Sequence, residues 1–437
     1  MAKVLLAAWA CDPCKGSEQA VGWEWLNAIR RNNAVWVITA DFQRDSIKRA
    51  VKDRPAEFRD VWFHYVPSKP WHYTQPNRFW EFCERSIAKP IMHWSYKLWQ
   101  WDAYNLACDL HASVHFDLAH QLTFVGFRFP GHLWKLGIPF VWGPIGGLEN
   151  TPWNLLPSMG IRGAVYYGAR NFVNSMHRSL LQQPRKALAA AGPGVIAATG
   201  GIRREIRRIY GVNSEVICEV GLPSETAPKF LLRLTGEPLQ LAWSGRLLPG
   251  KALHLLLRAM ANVADIIDWR LHIYGDGPLK AAWQRLAVKA NLGPRVVWHG
   301  HVSRSEALAG LRSAHLFVTT SLKDLTSTVV LEALAEGVPV LCPDHCGFPD
   351  VVDRTCGVRL PIGTAAEFKR ALAEAIIRLA GDESERRRLA AGALVRAPQF
   401  GLSAKAEAIE SVYRRVLESY NTHSLSLNSA GQGSARH

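Results

Sequence analysis

Asp324 and Glu332 stand eight residues apart within residues 321–339, SLKDLTSTVVLEALAEGVP. The apolar run 315–319 reads as a strand and 327–336 as a helix, so the two carboxylates straddle a strand-to-helix turn. A helix start exposes unpaired N–H groups and partial positive charge, which suits a phosphate. Ser327, Thr328 and Val329 would present those amides. Asp324, just before the helix, can accept hydrogen bonds from sugar hydroxyls. Glu332, over one turn further in, can hold the two hydroxyls of a ribose. The bland alternative is a loop acid and a helix-surface glutamate.

A second basic element lies at 244–251, SGRLLPGK. Arg246 offers a fork of donors and Lys251 a point charge, so the two fit a clamp on a diphosphate that gains charge as it leaves. Two solvated bases at a helix start would look the same in isolation. Glycine turns follow two further expected strands: Gly275 in 274–278, YGDGP, and Gly300 in 298–302, WHGHV. In the first half, Lys15, Gly16, Ser17 and Glu18 follow the first strand, where a glycine lets backbone approach a ligand closely. Glu18 either contacts substrate or caps the helix that begins there. His120 follows another expected strand and either faces the ligand or sits satisfied in the core. The turn 143–147, GPIGG, borders the same region.

Together these elements resemble those of the family 4 retaining glycosyltransferases, the E-x7-E type, as found among bacterial polysaccharide-assembly enzymes. The match is closest over 239–352: Glu332-Ala333, Ala335, Gly337 and Pro339-Val340 follow the family pattern, whereas Asp324 stands where Glu is usual and Leu325 where Gly is usual. The resemblance implies a GT-B architecture, two Rossmann-like doubly wound domains facing a central cleft. It implies Asp324 and His120 at the donor sugar. Gly16, Arg246, Lys251, Gly275, Ser327, Thr328, Val329 and Glu332 would bind the donor. Lys15, Ser17 and Glu18 would lie on the acceptor side. It further implies a nucleotide diphosphate sugar as substrate, with no cofactor and no metal.

The chain carries elements able to build that frame. Expected strands at 3–9, 35–40, 61–66, 117–124, 139–142 and 194–199 alternate with helices such as 17–31 and 184–191, which is the pattern of a parallel α/β sheet. Residues 222–237, rich in Pro, Ser, Thr and Gly, read as a linker. The pattern then begins again, with strands at 239–243, 269–274, 295–299, 315–319 and 338–342 and helices at 252–263, 305–313 and 327–336. Residues 365–419 read as helical. The expected division is 1–225 for an acceptor domain, 226–400 for a donor domain, 401–420 for a helix returning to the first domain, and 421–437 for a disordered polar tail.

Composition narrows the remaining choices. Of 437 residues, 48 % are apolar and 20 % charged, as in a folded α/β protein. No apolar run is long enough to span a bilayer, and the short run at 4–10 reads as a strand instead of an export signal. The expectation is a cytoplasmic protein with its eight cysteines free. Cys11 and Cys14 form a C-x-x-C pair, which suggests redox chemistry only weakly in a chain of this size. Cys342, His345, Cys346 and Cys356 have no standard zinc spacing.

The formal charge is +15. Residues 78–208 hold 15 Lys/Arg against 7 Asp/Glu, and no acid lies between Glu149 and Glu205. With Trp71, Trp80, Trp94, Trp99 and Trp101 among Arg78, Arg85, Lys89 and Lys97, this suits an anionic membrane surface, hence peripheral attachment at the inner face of the cytoplasmic membrane and a lipid-linked acceptor. A Trp-rich core under a solvated basic face is the alternative. No nucleic-acid module is recognisable. Two other functions fit the same fold: a non-catalytic sugar-nucleotide-binding or membrane scaffold protein, and a sugar-nucleotide epimerase.

Overall fold

The computed structural model describes residues 1–67, 88–222 and 236–433, the side chains of 88–93 and 423–433 excepted. Trp71, Trp80, Arg78, Arg85 and most of the expected linker lie outside the described residues, as does the side chain of Lys89.

The first domain is a seven-stranded sheet in the order β3-β2-β1-β4-β5-β6-β7, parallel at every pair. Its strands are β1 (Lys3–Ala8), β2 (Ala34–Ala40), β3 (Val61–Val66), β4 (Leu118–Thr123), β5 (Phe140–Ile145), β6 (Val195–Ala197) and β7 (Glu215–Val216). Helices α1 (Glu18–Ile29), α2 (Arg44–Asp53), α3 (Ala88–Val114), α4 (Gly160–Leu180), α5 (Gln182–Ala191) and α6 (Gly200–Tyr210) alternate with them. β1, β4 and β5 are buried along almost their whole length. Strands covered on both faces are mostly apolar, which makes β1 legible as an uninterrupted run, whereas β4 buries His120, Gln121 and Thr123.

The second domain is a six-stranded parallel sheet in the order β10-β9-β8-β11-β12-β13. It comprises β8 (Leu239–Ser244), β9 (Trp269–Tyr274), β10 (Val296–Gly300), β11 (Leu316–Val318), β12 (Val340–Pro343) and β13 (Gly357–Leu360), with α7 (Leu253–Ala261), α8 (Lys280–Lys289), α9 (Arg304–Arg312), α10 (Thr328–Ala335), α11 (Phe348–Val351), α12 (Ala365–Gly381) and α13 (Glu383–Arg396). Both sheets reverse direction between their first and fourth strands, and ligands of such sheets sit outside the carboxyl ends at that point.

The span 365–419 is helical as expected, in successive pieces. Asp382, in an extended conformation, ends α12 and caps α13 by accepting from the Glu385 amide at 2.8 Å. The tail expected to be disordered from 421 continues helix α14 (Leu402–Gly433) as far as 433; extending a formed helix costs far less than starting one. And α4, which lies opposite the cleft's second-domain loops, went unread because its outward side carries the apolar residues, as shown below.

Helix α14 packs on the first domain although it follows the second. Ala406, Ile409, Val412, Tyr413 and Val416 share one core cluster with Val4, Leu6, Trp25, Leu118 and Val141. Leu155 makes the reciprocal crossing, from the first half of the chain into the second domain's core.

Candidate active site in the interdomain cleft

The loops at the carboxyl ends of β8, β9 and β10 are laced together by backbone. Gly245 N donates to Tyr274 O at 3.0 Å, Gly275 N to Gly300 O at 2.7 Å, and Leu247 N to Asp276 O at 2.9 Å. Gly275 has φ +135°, and a Cβ there would stand 2.0 Å from Gly245 O. Only glycine permits this approach. The lacing fixes the loop that carries Arg246, which is exposed, and Lys251, which is partly buried.

Lys251 reaches across to the next loop. Its Nζ donates to Asp324 Oδ2, and Ser321 Oγ donates to the same oxygen at 3.3 Å. The two residues proposed for the donor sugar and for the diphosphate are therefore neighbours, as they must be if sugar and phosphate share one bond. Ser327, at φ +77°, makes the turn into α10 without capping it by its side chain. The helix start at Thr328 and Val329 thus keeps the amides that a helix leaves unpaired. Glu332, on α10, is 8 % exposed, and its Oε1 accepts from Arg304 Nε at 3.0 Å and Nη2 at 2.8 Å. That bidentate hold fixes the carboxylate while its second oxygen remains for a ligand.

The first domain supplies the opposite wall. A Cβ on Gly146, in the turn after β5, would lie 2.9 Å from Leu325 Cδ1, so that turn abuts the Asp324 loop. Lys323 Nζ donates to the Glu149 backbone oxygen across the domains. Burial lowers the Lys323 pKa to about 8 and raises that of Glu149 to about 7. Asp350 Oδ2 accepts from Gly200 N at 2.7 Å, placing a second-domain carboxylate at the first turn of α6. Beside these contacts lies a cleft of about 370 Å³ bordered by Glu149, Arg178, Arg204, Arg208 and His345.

Lys15, Gly16 and Ser17 are exposed in the loop after β1, and a Cβ on Gly16 would meet nothing within 4 Å. Packing therefore does not demand glycine there. Glu18 does not cap the helix: its Oε1 accepts from Val125 N, tying the start of α1 to the loop after β4. Burial raises the Glu18 pKa from 4.5 to about 7. Between pH 4.5 and 7 the folded chain therefore keeps a proton that the unfolded chain releases, so this group lowers stability as pH rises through that window and no further above it. Glu18→Gln keeps the acceptor oxygen and removes the charge. Its melting temperature should match wild type near pH 4 and exceed it by about 2 °C or more at pH 8; equal melting temperatures at both would contradict the assignment.

His120 is a correction. It is fully buried in β4, with Nδ1 2.7 Å from Tyr413 Oη and Nε2 2.8 Å from Gly143 O. Both ring nitrogens are occupied within the core, and burial lowers the pKa to about 4. Strand alternation turns this position toward α14, so it approaches no donor sugar; it holds the returning helix in place.

Three residues escaped the sequence reading. Arg304 sits at the start of α9 behind a Ser303–Glu306 capping box; the box was visible, but not that the arginine would reach Glu332. Glu219 is 5 % exposed and accepts from Thr326 N at 2.8 Å and Thr326 Oγ1 at 3.1 Å, so it anchors the Asp324 loop from the interdomain crossing. Lys405 of α14 donates to Glu219 O at 3.3 Å. Cys11, Cys342, Cys346 and Cys356 are buried and Cys14 exposed, all as thiols.

Residues 227–394 match the family model of the glycosyl transferases group 1. Among curated relatives, a D-inositol 3-phosphate glycosyltransferase of Streptomyces bingchenggensis is 28 % identical over 53 % of this chain and 55 % of its own length. Its counterpart in Kineococcus radiotolerans is 26 % identical over 70 % and 73 %. The lipopolysaccharide core biosynthesis glycosyltransferase LpsE of Rhizobium meliloti is 30 % identical over 33 % and 41 %. The chain thus spans about half the length of several relatives it matches. Two solved structures share the fold: the lipopolysaccharide outer core galactosyltransferase WaaB (TM-score 0.61, 13 % identity, 94 % of this chain and 98 % of that one), and Anabaena Alr3699/HepE in complex with UDP (0.57, 14 %, 97 % and 100 %). The architecture is that of the two-Rossmann-domain (GT-B) proteins, and the part of the chain that bears Arg246, Lys251, Asp324 and Glu332 is similar to the glycosyl transferases group 1.

Proposed function

We propose that the protein is a retaining glycosyltransferase. It would move a sugar from a nucleotide diphosphate sugar, a UDP- or GDP-sugar, to a saccharide acceptor carried on lipid, in building a surface polysaccharide. The observation that carries this reading is the Lys251–Asp324 pair at the mouth of a helix start, one turn from Glu332. Lys251 and the helix-start amides would then serve the diphosphate, Asp324 the sugar and Glu332 the ribose, with all but Lys251 on one short segment. The relatives named for lipopolysaccharide and the neighbour bound to UDP favour this donor and acceptor class.

In the proposed reaction the acceptor oxygen forms its bond to the anomeric carbon as the bond from that carbon to the diphosphate oxygen breaks. The acceptor proton passes to a phosphate oxygen. Arg246, Lys251 and the amides at Thr328 and Val329 stabilise the charge that builds on the leaving diphosphate, and Asp324 orients the sugar. No side chain acts as a nucleophile.

A thermal-shift panel of UDP-, GDP-, ADP- and dTDP-sugars tests the donor site. One nucleotide should raise the wild-type melting temperature, and Glu332→Ala should lose that shift, because a ribose left without its acceptor weakens binding by about tenfold or more. No shift by any donor would move the assignment to a scaffold role. With the stabilising donor, NMR of the product should show the donor's anomeric configuration; the opposite configuration would refute retention.

A further inference from the structure

Helix α4 is worn inside out. Its buried positions are Gly163, Tyr167, Asn171, Asn174 and Arg178, mostly polar and recurring at helical spacing. Each amide is used: Asn171 donates to Thr151 O at 2.8 Å and accepts from Thr151 N at 3.0 Å, and Asn174 Nδ2 donates to Leu148 O at 3.1 Å. Arg178 Nη1 donates to Leu148 O at 2.8 Å and to Glu205 at 2.7 Å. The opposite face carries Ile161, Val165, Phe172, Met176 and Leu180, of which Ile161 is 86 % and Phe172 69 % exposed. Trp153, on the preceding turn, is 57 % exposed beside them. A helix fastened by polar side chains with its apolar stripe outward reverses the ordinary arrangement of a surface helix. A contiguous apolar patch of this kind marks a docking surface.

Charge identifies the occupant. Arg162 is exposed at the edge of that stripe, and Arg170, also exposed, lies on the flank nearer Lys323; the stretch between Glu149 and Glu205 has no acid, while Arg185 and Lys186 add to the excess. An apolar stripe edged by arginine, within a stretch of sequence free of acids, matches the interface of an anionic bilayer. We infer that α4 and Trp153 seat the protein on such a membrane, with Ile161, Val165, Phe172, Met176 and Leu180 entering the acyl boundary. The other, buried face of α4 meets the cleft. A Cβ on Gly250, next to Lys251, would lie 2.6 Å from Tyr167 Oη, and one on Gly163 3.5 Å from Pro249 Cβ. The seat would then hold the donor loops one helix diameter, about 10 Å, from the bilayer, within reach of a lipid-borne acceptor. The inference deepens the proposed function on its acceptor side and rests on it only for that last step.

The full chain is sedimented with vesicles of phosphatidylcholine alone and of phosphatidylcholine with phosphatidylglycerol. Wild type should bind the anionic vesicles well above the neutral ones, and Ile161→Asp/Phe172→Asp should lose binding to both. Arg162→Glu should weaken binding to anionic vesicles by about fivefold or more. Donor-induced thermal shifts should persist in every variant, which separates failure of the seat from failure of the donor site. Wild type that ignores vesicles overturns the inference. So does a dimer in light scattering that Ile161→Asp/Phe172→Asp splits, since the face would then belong to a second copy of the chain.

Discussion

Lys251→Ala is expected to lower kcat/KM for sugar transfer by about 100- to 1,000-fold, the cost of removing one charge-stabilising donor from a preorganised site. Lys251 faces two partners at different stages. In the ligand-free protein its ammonium pairs with Asp324. In the proposed donor complex the same ammonium would meet the charge that builds on the leaving diphosphate. The loss should therefore fall mainly on kcat, because the interaction strengthens as the bond breaks. Removal also frees Asp324, whose remaining side-chain partner is Ser321 at 3.3 Å, so the sugar would be less firmly placed. A change confined to KM would show that Lys251 merely binds.

The second large effect concerns stability. Lys405→Ala should cost about 3–5 kcal/mol, as removal of one partner from a buried charged cluster does. Lys405 is 5 % exposed, its Nζ donates to Glu219 O at 3.3 Å, and it lies over the Trp25 ring at 5.3 Å. Burial raises the pKa of Glu219 and Glu24, and Lys405 opposes both shifts. Trp25 Nε1 donates to the same Glu219 carbonyl at 2.9 Å. One residue of the C-terminal helix thus holds α1, the interdomain crossing and, through Glu219 and Thr326, the Asp324 loop. Urea denaturation should show the midpoint lowered at an unchanged slope. An unchanged midpoint would mean the cluster carries no net stability.

How much of this was legible follows from what each residue answers to. The doubly wound domains were readable because buried parallel strands are apolar without interruption, as in Val4–Ala8, or with a single polar residue, as Gln240 in Leu239–Trp243. The 244–251 and 321–339 elements were readable because their chemistry is local: a strand, a tight turn and a helix start within a few residues. Contacts between distant segments were not. Arg304 meets Glu332 from 28 residues away and Glu219 meets Thr326 from 107; neither separation leaves a periodic trace. His120 was misplaced because the strand 117–124 alone does not show what packs on each of its faces, and its partner Tyr413 lies 293 residues on. Helix α4 was passed over because its apolar stripe, the usual sign of a core face, points to solvent. The basic, acid-free stretch that contains it was noticed, but not the helix that organises it.

The most direct test of the donor site is a calorimetric titration with the nucleoside diphosphate whose sugar gives the thermal shift, set against the matching monophosphate. Wild type should bind the diphosphate the more tightly, and Lys251→Ala should erase that preference, since its ammonium and the α10 amides answer to the second phosphate. Equal affinity for the two nucleotides in wild type, or a preference that survives in Lys251→Ala, would contradict a diphosphate clamp between Lys251 and Thr328.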